Sequence, residues 1–322
     1  MLATHLAALT PGPAGLQSTT LRIGTRGSPL ARAQAEEVAR LLREAHREAG
    51  VAIAIVPIRT TGDQLTDRPL AEAGGKGLFT KEIEEALLAG EVDIAVHSAK
   101  DMPTVLPPGL ELAGCLPRED ARDAFVGRAA RAFADLPYGA VLGTSSLRRR
   151  ALALRRRPDL RIVEFRGNVG TRLKKLEKGI ADATLLAMAG LRRLDLADHA
   201  TAILDATEFV PAVGQGAIAV ELREGDAETS ALVAPILDAD TGLAVAAERA
   251  FLAVLDGSCR TPIGGHATIA NGTMMFHGII VTPDGGTAHE TEHRGPAGDA
   301  LRLGRDAGAE LARRGGPDFF RH

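Results

Sequence analysis

Short apolar runs that alternate with amphipathic helical segments constrain the fold of this chain more than any other feature of its sequence. Residues 21–25 form the first run, a segment with apolar residues at helical spacing follows, and residues 51–58 form the next run. Ser28 is a good helix N-cap, and Pro29 suits the first helical position. A strand, a helix and a second strand of these lengths predict a β-α-β unit with a parallel sheet.

The same alternation returns in the middle of the chain, and it stops near residue 227. Three strands are predicted at residues 140–142, 161–165 and 183–187, with helices at 146–157, at 169–178 and from 190 onward. These elements predict a second α/β unit with helices on both faces of a parallel sheet. Two helices, short alternating strands and a final helix then predict a small α+β domain. A chain of 322 residues is too long for one ordinary core, which agrees with several domains.

The domain boundaries follow from where the chain leaves and rejoins the first unit. We expect the segment after residue 118 to cross into the second unit, and the apolar strand within residues 209–222 to return to the first sheet. The expected division is a disordered N-terminal extension at 1–20, a first domain at 21–118 with about 216–236, a second at 119–215 and a third at 237–322. Residues 1–19 lack the basic region of a signal peptide and are interpreted as an extension or a start-site artefact.

Charged side chains follow the predicted strands where the strands end. Arg26 follows the first strand, Lys100 and Asp101 follow the run at 93–97, and Arg193 follows the run at 183–187. Open α/β sheets bind their ligands at the carboxyl ends of strands, so these positions are candidates for a binding site. Asp101 could instead only cap a turn. An adjacent lysine and aspartate at such an edge nevertheless suit a site that keeps a carboxylate ionised.

An arginine-rich stretch at residues 143–172 contains two strand-to-helix turns, GTSS and RGNVGT. Both turns place small residues and backbone N–H groups at a helix N-terminus, where anions bind well. Arginines follow at once, and a guanidinium can hold a carboxylate with two parallel hydrogen bonds. The candidate anion-binding residues of the two turns are Thr144, Ser145, Ser146, Arg148, Arg149, Arg166, Gly167 and Arg172. By contrast, we expect Arg155, Arg156 and Arg157 to form a solvated helix face.

Composition narrows the class of partner. The net charge is only −3, so a local anion pocket fits the arginines better than a surface for polyanions. The absence of Trp and the single Tyr argue against stacking on nucleic-acid bases. No run approaches the roughly 18 to 20 apolar residues that cross a bilayer, so no membrane partner is expected. Two cysteines form no disulfide framework, which predicts a reducing cytoplasm, and no metal-binding spacing is present.

Three further residues lie in glycine-bounded segments. Lys76 lies in GGKGLF, which is not a phosphate-binding Walker motif and suggests a mobile or closely approaching loop. Gln215 is flanked by glycines before an apolar strand. Cys259 lies in GSCRTPIGG beside Arg260, which would favour the thiolate, whereas Cys115 lies in an apolar run and is interpreted as a core residue. Cys259 is therefore a candidate nucleophile or covalent attachment point.

Eight of these segments, in this order, resemble the porphobilinogen deaminase family, which is also called hydroxymethylbilane synthase. They are IGTRGSPLARAQ, GGKGLFTKEIE, DIAVHSAKDMPT, GTSSLRR, RGNVGTRL, LLAMAGLRRL, VPAVGQGA and GSCRTPIGG. The resemblance runs from residue 21 to the C-terminal helix. It implies a fold of two periplasmic-binding-protein-like domains with parallel or mixed sheets, and a small α+β C-terminal domain. The active cleft would lie between the first two domains, and no metal would be needed.

The resemblance also implies an activity and a cofactor. The family is a transferase of tetrapyrrole and heme biosynthesis that joins four porphobilinogen molecules head to tail, releases ammonia, and frees hydroxymethylbilane by hydrolysis. It starts on a dipyrromethane cofactor held by a thioether, which would be attached here to Cys259. Asp101 would be the catalytic carboxylate, and Lys100 would help to hold it. The carboxylates of cofactor and substrate would be bound by Arg26, Ser28, Lys76, Thr144, Ser145, Ser146, Arg148, Arg149, Arg166, Gly167, Arg172, Arg193 and Gln215.

Two other classes of protein fit part of the sequence. A two-lobed module that binds a small anion or senses an effector would use the same arginines, but would leave the Cys259 loop and the third domain without a role. An RNA-binding protein is disfavoured by the net charge and the scarcity of aromatic residues. We therefore expect a monomeric cytoplasmic enzyme that acts on porphobilinogen and has no nucleic-acid partner.

Overall fold

The computed structural model describes residues 20–64, 77–256 and 261–320. The predicted N-terminal extension, apart from residue 20, lies outside these ranges, as do Lys76 and Cys259. The strands of the described residues are β1 Leu21–Arg26, β2 Ile53–Ile58, β3 Ile94–Ser98, β4 Leu110–Cys115, β5 Asp123–Gly127, β6 Val141–Gly143, β7 Arg161–Val163, β8 Ala183–Ala187, β9 Ala202–Ile203, β10 Ile218–Arg223, β11 Ile263–Ala270, β12 Thr273–Val281 and β13 Ala288–Pro296. The α-helices are α1 Pro29–Ala45, α2 Thr61–Gln64, α3 Lys81–Leu88, α4 Leu147–Arg156, α5 Val169–Glu177, α6 Met188–Arg193, α7 Ala227–Val233, α8 Ala239–Val254 and α9 Ala300–Gly315.

Helix α1 begins where the sequence predicts it to begin. Ser28 has an extended backbone, and its side chain accepts a hydrogen bond from the backbone N–H of Ala31 at 3.3 Å. Pro29 occupies the first helical position, where the missing N–H is not needed. Such a cap contributes about 1 kcal/mol to helix stability. The cap therefore fixes the start of α1 three residues after the end of β1.

Two five-stranded sheets have the same internal order. In the first lobe the order is β2-β1-β3-β10-β4, and in the second lobe it is β7-β6-β8-β5-β9. Strand β1 is parallel to β2 and β3, and β6 is parallel to β7 and β8. Strands β10 and β5 are antiparallel to both of their neighbours. The two lobes thus repeat one mixed α/β topology, which confirms the predicted fold class.

The antiparallel strand of each sheet reaches it from the other lobe, so both sheets are mixed, one of the two forms that the resemblance implied. The chain passes from β4 to β5 through residues 116–122, named here the first crossover. It returns from β9 to β10 through residues 204–217, the second crossover. Because each crossing strand runs against its neighbours, the end at which it enters the sheet lies at the carboxyl ends of the parallel strands. Both crossovers therefore meet the sheet edges at which ligands bind in open α/β folds.

Each part of the molecule has its own buried core. The first lobe packs Ile23, Val96 and Val220 with α1, and every one of these side chains is at most 2% exposed. The second lobe has cores on both faces of its sheet, and one of them includes Ile279 and Val281 of β12. The C-terminal domain packs the three-stranded sheet β11-β12-β13 against α8 and α9. The small α+β domain is therefore confirmed and is joined to the second lobe through apolar contacts.

No single helix of the described residues is long and apolar enough to cross a membrane. Residues Ala227–Ile236 and Ala239–Val254 reach that length and composition only as a pair, and the pair is bent by 109°.

Candidate active site

The carboxyl edge of the first sheet brings together the residues predicted from its strand ends. Strands β1 and β3 are parallel neighbours, so Arg26 and the 3-10 turn Ala99–Asp101 lie at the same edge. Arg26 Nη1 donates to Asp101 Oδ2 at 3.3 Å, and the Arg26 guanidinium lies 4.1 Å from the centre of the Phe79 ring. Arg26 and Asp101 line a pocket together with Ser28 and Phe79. This edge thus presents a carboxylate next to a cation in an accessible cavity.

Lys100 lies beside Asp101 and is half-buried. Burial lowers the pKa of its ammonium group from 10.5 to about 8. This value includes the charges of Arg149 and Arg148, which act in the same direction as burial, and those of Asp101 and Asp123, which act in the opposite direction. Lys100 of the first lobe therefore lies within electrostatic range of two arginines of the second lobe.

The GTSS turn of the second lobe uses its three hydroxyl groups mainly to shape the backbone. Thr144 Oγ1 accepts a hydrogen bond from Ser146 N at 3.2 Å, and Ser145 Oγ accepts one from Phe165 N at 3.1 Å. Ser146 caps α4 by accepting from Arg149 N at 3.3 Å. The turn lines a polar pocket. These bonds hold the start of α4 and direct its first arginines toward the interior.

Arg148 and Arg149 are buried rather than open to the cleft, with 5% and 6% of their surface exposed. Both donate to Asp123, which also accepts a hydrogen bond from Gln215 Nε2 at 2.8 Å. Burial disfavours the ionised form of Asp123. The charges and hydrogen bonds of its partners nevertheless hold the pKa of this carboxyl well below its usual range. Arg148 Nε is buried and has no hydrogen-bond partner within the described residues.

The RGNVGT turn places Arg166 and Arg172 beside the same region. Asn168 caps α5 by accepting from Thr171 N at 2.9 Å. Gly167 has φ of +119°, and a Cβ at this position would lie 2.7 Å from Thr171, so a side chain would strain the turn. The Gly167 carbonyl oxygen accepts from Arg172 Nε at 2.8 Å and thereby orients that guanidinium. The turn therefore needs glycine in order to fix Arg172.

The cations of this turn lack sufficient counter-charge. Burial and the nearby charges of Arg149 and Arg166 lower the pKa of Arg172 to about 10, against the opposing effect of Glu164 and Asp101. Arg166 Nη1 is buried, and none of the described residues accepts a hydrogen bond from it. A buried donor without an acceptor is costly, so this position suits an incoming carboxylate. The coupling of Arg172 to Asp101 also shows that the edges of the two lobes face each other, and the space between them is named here the cleft.

Arg193 occupies a different environment from the other predicted arginines. Its Nε donates to Glu37 of α1 at 3.1 Å, and its Nη2 donates to the carbonyl oxygen of Gly216 at 3.1 Å. Only 8% of its side chain is exposed. Arg193 therefore links α6 of the second lobe to α1 and to the second crossover.

The arginines at the end of α4 lie away from the cleft. Arg155 pairs with Glu290 at 3.4 Å, Arg156 pairs with Glu208 at 2.9 Å, and Arg157 pairs with Asp159 at 2.7 Å. Arg157 also donates to two backbone carbonyl groups, so this face is more ordered than the predicted solvated face.

Asp123 and Phe79 are the residues of this region that sequence reasoning missed. Asp123 precedes an apolar strand, and in a parallel sheet that position would lie at the edge opposite the site. It lies at the cleft because β5 is antiparallel, with Asp123 opposite Ala187. The available signal was an acidic residue at the start of a strand that is buried except for its last residue, because a buried carboxylate needs a partner.

The described residues fit a ligand that carries several carboxylates. Arg26, Lys100, Arg166 and Arg172 lie at the cleft, and the buried Arg148 and Arg149 lie within electrostatic range of Lys100. Among the described residues, Arg148 Nε and Arg166 Nη1 are buried N–H donors without partners. No group of three or more His, Cys, Asp or Glu side chains in the described ranges is arranged to hold a metal ion.

Comparison with known proteins identifies the family. The family model described as "Porphobilinogen deaminase, dipyromethane cofactor binding domain" matches residues 21–231, and "Porphobilinogen deaminase, C-terminal domain" matches residues 242–313. Porphobilinogen deaminases from Nitrobacter hamburgensis and Nitrobacter winogradskyi are each 57% identical over 298 residues, which cover 92% of this chain and 94% of each relative. The chain belongs to the porphobilinogen deaminase family. The predicted family is thereby confirmed, together with the transferase activity that makes hydroxymethylbilane and the dipyrromethane cofactor.

Similar solved structures include a periplasmic VFT2 domain of BvgS from Bordetella pertussis and a YaeC-family lipoprotein from Enterococcus faecalis. The first is 16% identical with a TM-score of 0.40, and covers 71% of this chain and 92% of that chain. The second is 13% identical with a TM-score of 0.41, and covers 68% of this chain and 91% of that chain. The fold of this member of the porphobilinogen deaminase family is defined by its own strand order.

Proposed function

We propose that porphobilinogen units are joined in the cleft between the two lobes, with Asp101 as the catalytic carboxylate. The observation that carries this proposal is the position of Asp101 at the carboxyl edge of the first sheet. There it is held by Arg26 at 3.3 Å and coupled across the cleft to Arg172. Positive charge develops on the pyrrole ring of the substrate as ammonia leaves. A fixed carboxylate near the pyrrole N–H stabilises that charge, and it can accept and pass on a proton.

The arginines of the cleft bind the acetate and propionate groups that each porphobilinogen unit brings. A chain that grows inside a closed cleft accumulates carboxylates, and a buried charge without a partner is unfavourable. Arginine keeps its charge throughout the working pH range, which suits it to this task. Arg26, Arg166 and Arg172 are proposed to contact the ligand carboxylates directly. The buried Arg148 and Arg149 are proposed to add positive charge next to them. Arg193 and Gln215, both engaged with the second crossover, support this surface.

The hydroxyl groups and the lysines have supporting roles. Thr144, Ser145 and Ser146 are proposed to present the N-terminus of α4 to a carboxylate, and Gly167 does the same for α5. Ser28 lines the cavity that contains Asp101. Lys100 holds Asp101 and adds a charge that depends on pH. Lys76, outside the described residues, is proposed to lie on a loop that covers the cleft.

Cys259 is proposed as the attachment point of the dipyrromethane. When bound, this group supplies the free pyrrole α-carbon to which the first substrate unit is added. Cys259 lies outside the described residues; in the sequence it stands between α8 and β11, which both belong to the C-terminal domain. Cys115 is fully buried, and burial raises the pKa of its thiol to about 12, which makes it unreactive. Cys259 is therefore the better thiol for a covalent bond.

A substitution that removes only the charge of Asp101 tests the proposal. We expect Asp101→Asn to fold and to acquire the cofactor, but to lose more than tenfold in the rate of the chemical step. Rapid-quench single-turnover kinetics with porphobilinogen measure that step. A rate within tenfold of wild type, equivalent to about 1.4 kcal/mol, would show that Asp101 is not the principal catalytic carboxylate.

We also propose that the chain acts as a monomer in the cytoplasm, without a nucleic-acid or membrane partner. The small net charge and the two cysteines support this view. Light scattering at working concentration tests it, and a mass of twice the chain or more would contradict the monomer.

A further inference from the structure

Asp123 is a buried carboxylate that connects three residues assigned above to the anion site. It has no exposed surface. Arg148 Nη2 donates to its Oδ2 at 2.8 Å. Arg149 donates to its Oδ1 from Nη2 at 2.8 Å and from Nε at 3.2 Å, and Gln215 Nε2 donates to the same oxygen at 2.8 Å. One side chain thus accepts four hydrogen bonds from three residues.

Backbone carbonyl groups complete the orientation of both guanidinium groups. Arg148 Nη1 donates to the Val210 oxygen at 2.7 Å, and Arg149 Nη1 donates to the Leu185 oxygen at 2.9 Å. Val210 and Gln215 belong to the second crossover, and Asp123 directly follows the first. The carboxylate therefore ties both arginines to the two segments that join the lobes.

The charges explain why an internal carboxylate is needed. Arg148 and Arg149 lie in the interior, and both are close enough to Lys100 to lower the pKa of its ammonium group. Several buried positive charges without an anion would be strongly destabilising. Asp123 offsets one of them and leaves an excess of positive charge. Because Arg148 Nε has no acceptor among the described residues, the buried arginine pair retains an N–H donor for a carboxylate of the ligand.

We propose that Asp123 is a positioning residue for cofactor loading: it holds the Arg148 and Arg149 guanidinium groups in their binding orientation before the carboxylates of the ligand arrive. This inference rests on the proposed function of the cleft. Without the carboxylate, the two guanidinium groups repel each other and lose three shared hydrogen bonds. The ligand must then orient the two guanidinium groups while it binds, so cofactor loading becomes slower.

The experiment compares Asp123→Asn with the matched control Asp93→Asn. Asp93 also accepts two hydrogen bonds from one guanidinium group, that of Arg22, at 2.7 Å and 3.0 Å, and a third from the Arg22 backbone N–H at 2.7 Å. It directly precedes β3, at the edge of the first sheet opposite the cleft. Both substitutions keep the shape of the side chain and remove the negative charge that pairs with arginine. The full-length chain is produced in cells that make no porphobilinogen, then incubated with porphobilinogen, and loading is followed by intact mass against time.

We expect Asp123→Asn to load at least tenfold more slowly than wild type, and Asp93→Asn to load within threefold of wild type even if its Tm falls. Rescue of loading by Asp123→Glu, which restores the charge, would support the proposal. Equal loading of Asp123→Asn and wild type would overturn it, as would an equal loss in Asp93→Asn. If wild type itself acquires no adduct, the proposed covalent attachment fails rather than the role of Asp123.

A second variant decides the matter if Asp123→Asn does not fold. Gln215→Leu removes one hydrogen bond to Asp123 but leaves the three charges in place. Loading at least threefold slower than wild type in folded Gln215→Leu supports a positioning role. Loading at the wild-type rate overturns it, because the network would then hold the protein together without affecting the site.

Discussion

Arg166 offers the sharpest test of the anion cleft, because its removal should affect the ligand far more than the fold. Its Nη1 is buried and has no acceptor among the described residues, and the hydrogen bond from Lys175 Nζ at 3.0 Å uses the backbone oxygen of Arg166. Arg166→Leu therefore keeps that bond and removes a buried donor that lacks a partner. We expect Tm to change by less than about 2 °C, as for substitutions that break no internal contact.

The expected effect on activity is much larger. A hydrogen bond between charged groups contributes about 1.5 to 3 kcal/mol, which corresponds to roughly tenfold to 150-fold in rate or binding. Arg166→Leu should lower kcat/KM by that range. Some of the protein should stall with a partly built chain, visible on a native gel as discrete bands that each carry one more pyrrole unit.

Arg155→Leu is the matched control for this prediction. Arg155 is partly exposed and pairs with Glu290 at 3.4 Å, and an exposed pair of this kind contributes at most about 1 kcal/mol. Arg155 lies away from the cleft, so we expect less than a threefold change in kcat/KM. A loss below threefold in Arg166→Leu, or equal losses in both variants, would refute the assignment of Arg166 to the growing chain.

Two further predictions concern Lys100 and Cys115. The Lys100 ammonium, with a pKa of about 8, is charged below that pH and neutral above it, so its help in binding carboxylates should be lost as pH rises through 8. kcat/KM of wild type should therefore fall above pH 8. Lys100→Arg stays charged and should lack that fall. An identical decrease at alkaline pH in both pH profiles would contradict this role of Lys100. Cys115→Ser should retain more than half of wild-type turnover, because the thiol is buried and unreactive. If intact mass shows no adduct on Cys115→Ser, the cofactor is attached to Cys115 and the proposed attachment to Cys259 is wrong.

The parts of the fold that depend on local chemistry were predictable from the sequence. Ser28 and Pro29 define the start of α1, as predicted. The positions of Arg26 and Asp101 follow from the parallel pairing of β1 and β3, because parallel neighbours end at one edge. These features need only short-range rules and one rule of sheet topology.

Features that depend on how the lobes exchange strands were not predictable in the same way. The antiparallel direction of β5 and β10 follows from long-range crossovers, and no local pattern encodes it. Asp123 was missed for that reason, since its place at the cleft depends on the direction of β5. The burial of Arg148 and Arg149 against Asp123 likewise could not be read from arginines that follow a turn. The ligand-binding roles of the remaining site residues stay predictions.

Intact mass spectrometry of the purified chain tests whether polymerisation starts on a covalent primer at Cys259. We expect wild type to be heavier than its sequence by two pyrrole units, Cys115→Ser to carry the same adduct, and Cys259→Ser to carry none and to have no turnover. Limiting porphobilinogen should then add further single pyrrole units to wild type. A wild-type mass equal to that of the bare sequence in active protein, or full activity in Cys259→Ser without an adduct, would contradict polymerisation on a covalent primer in this cleft.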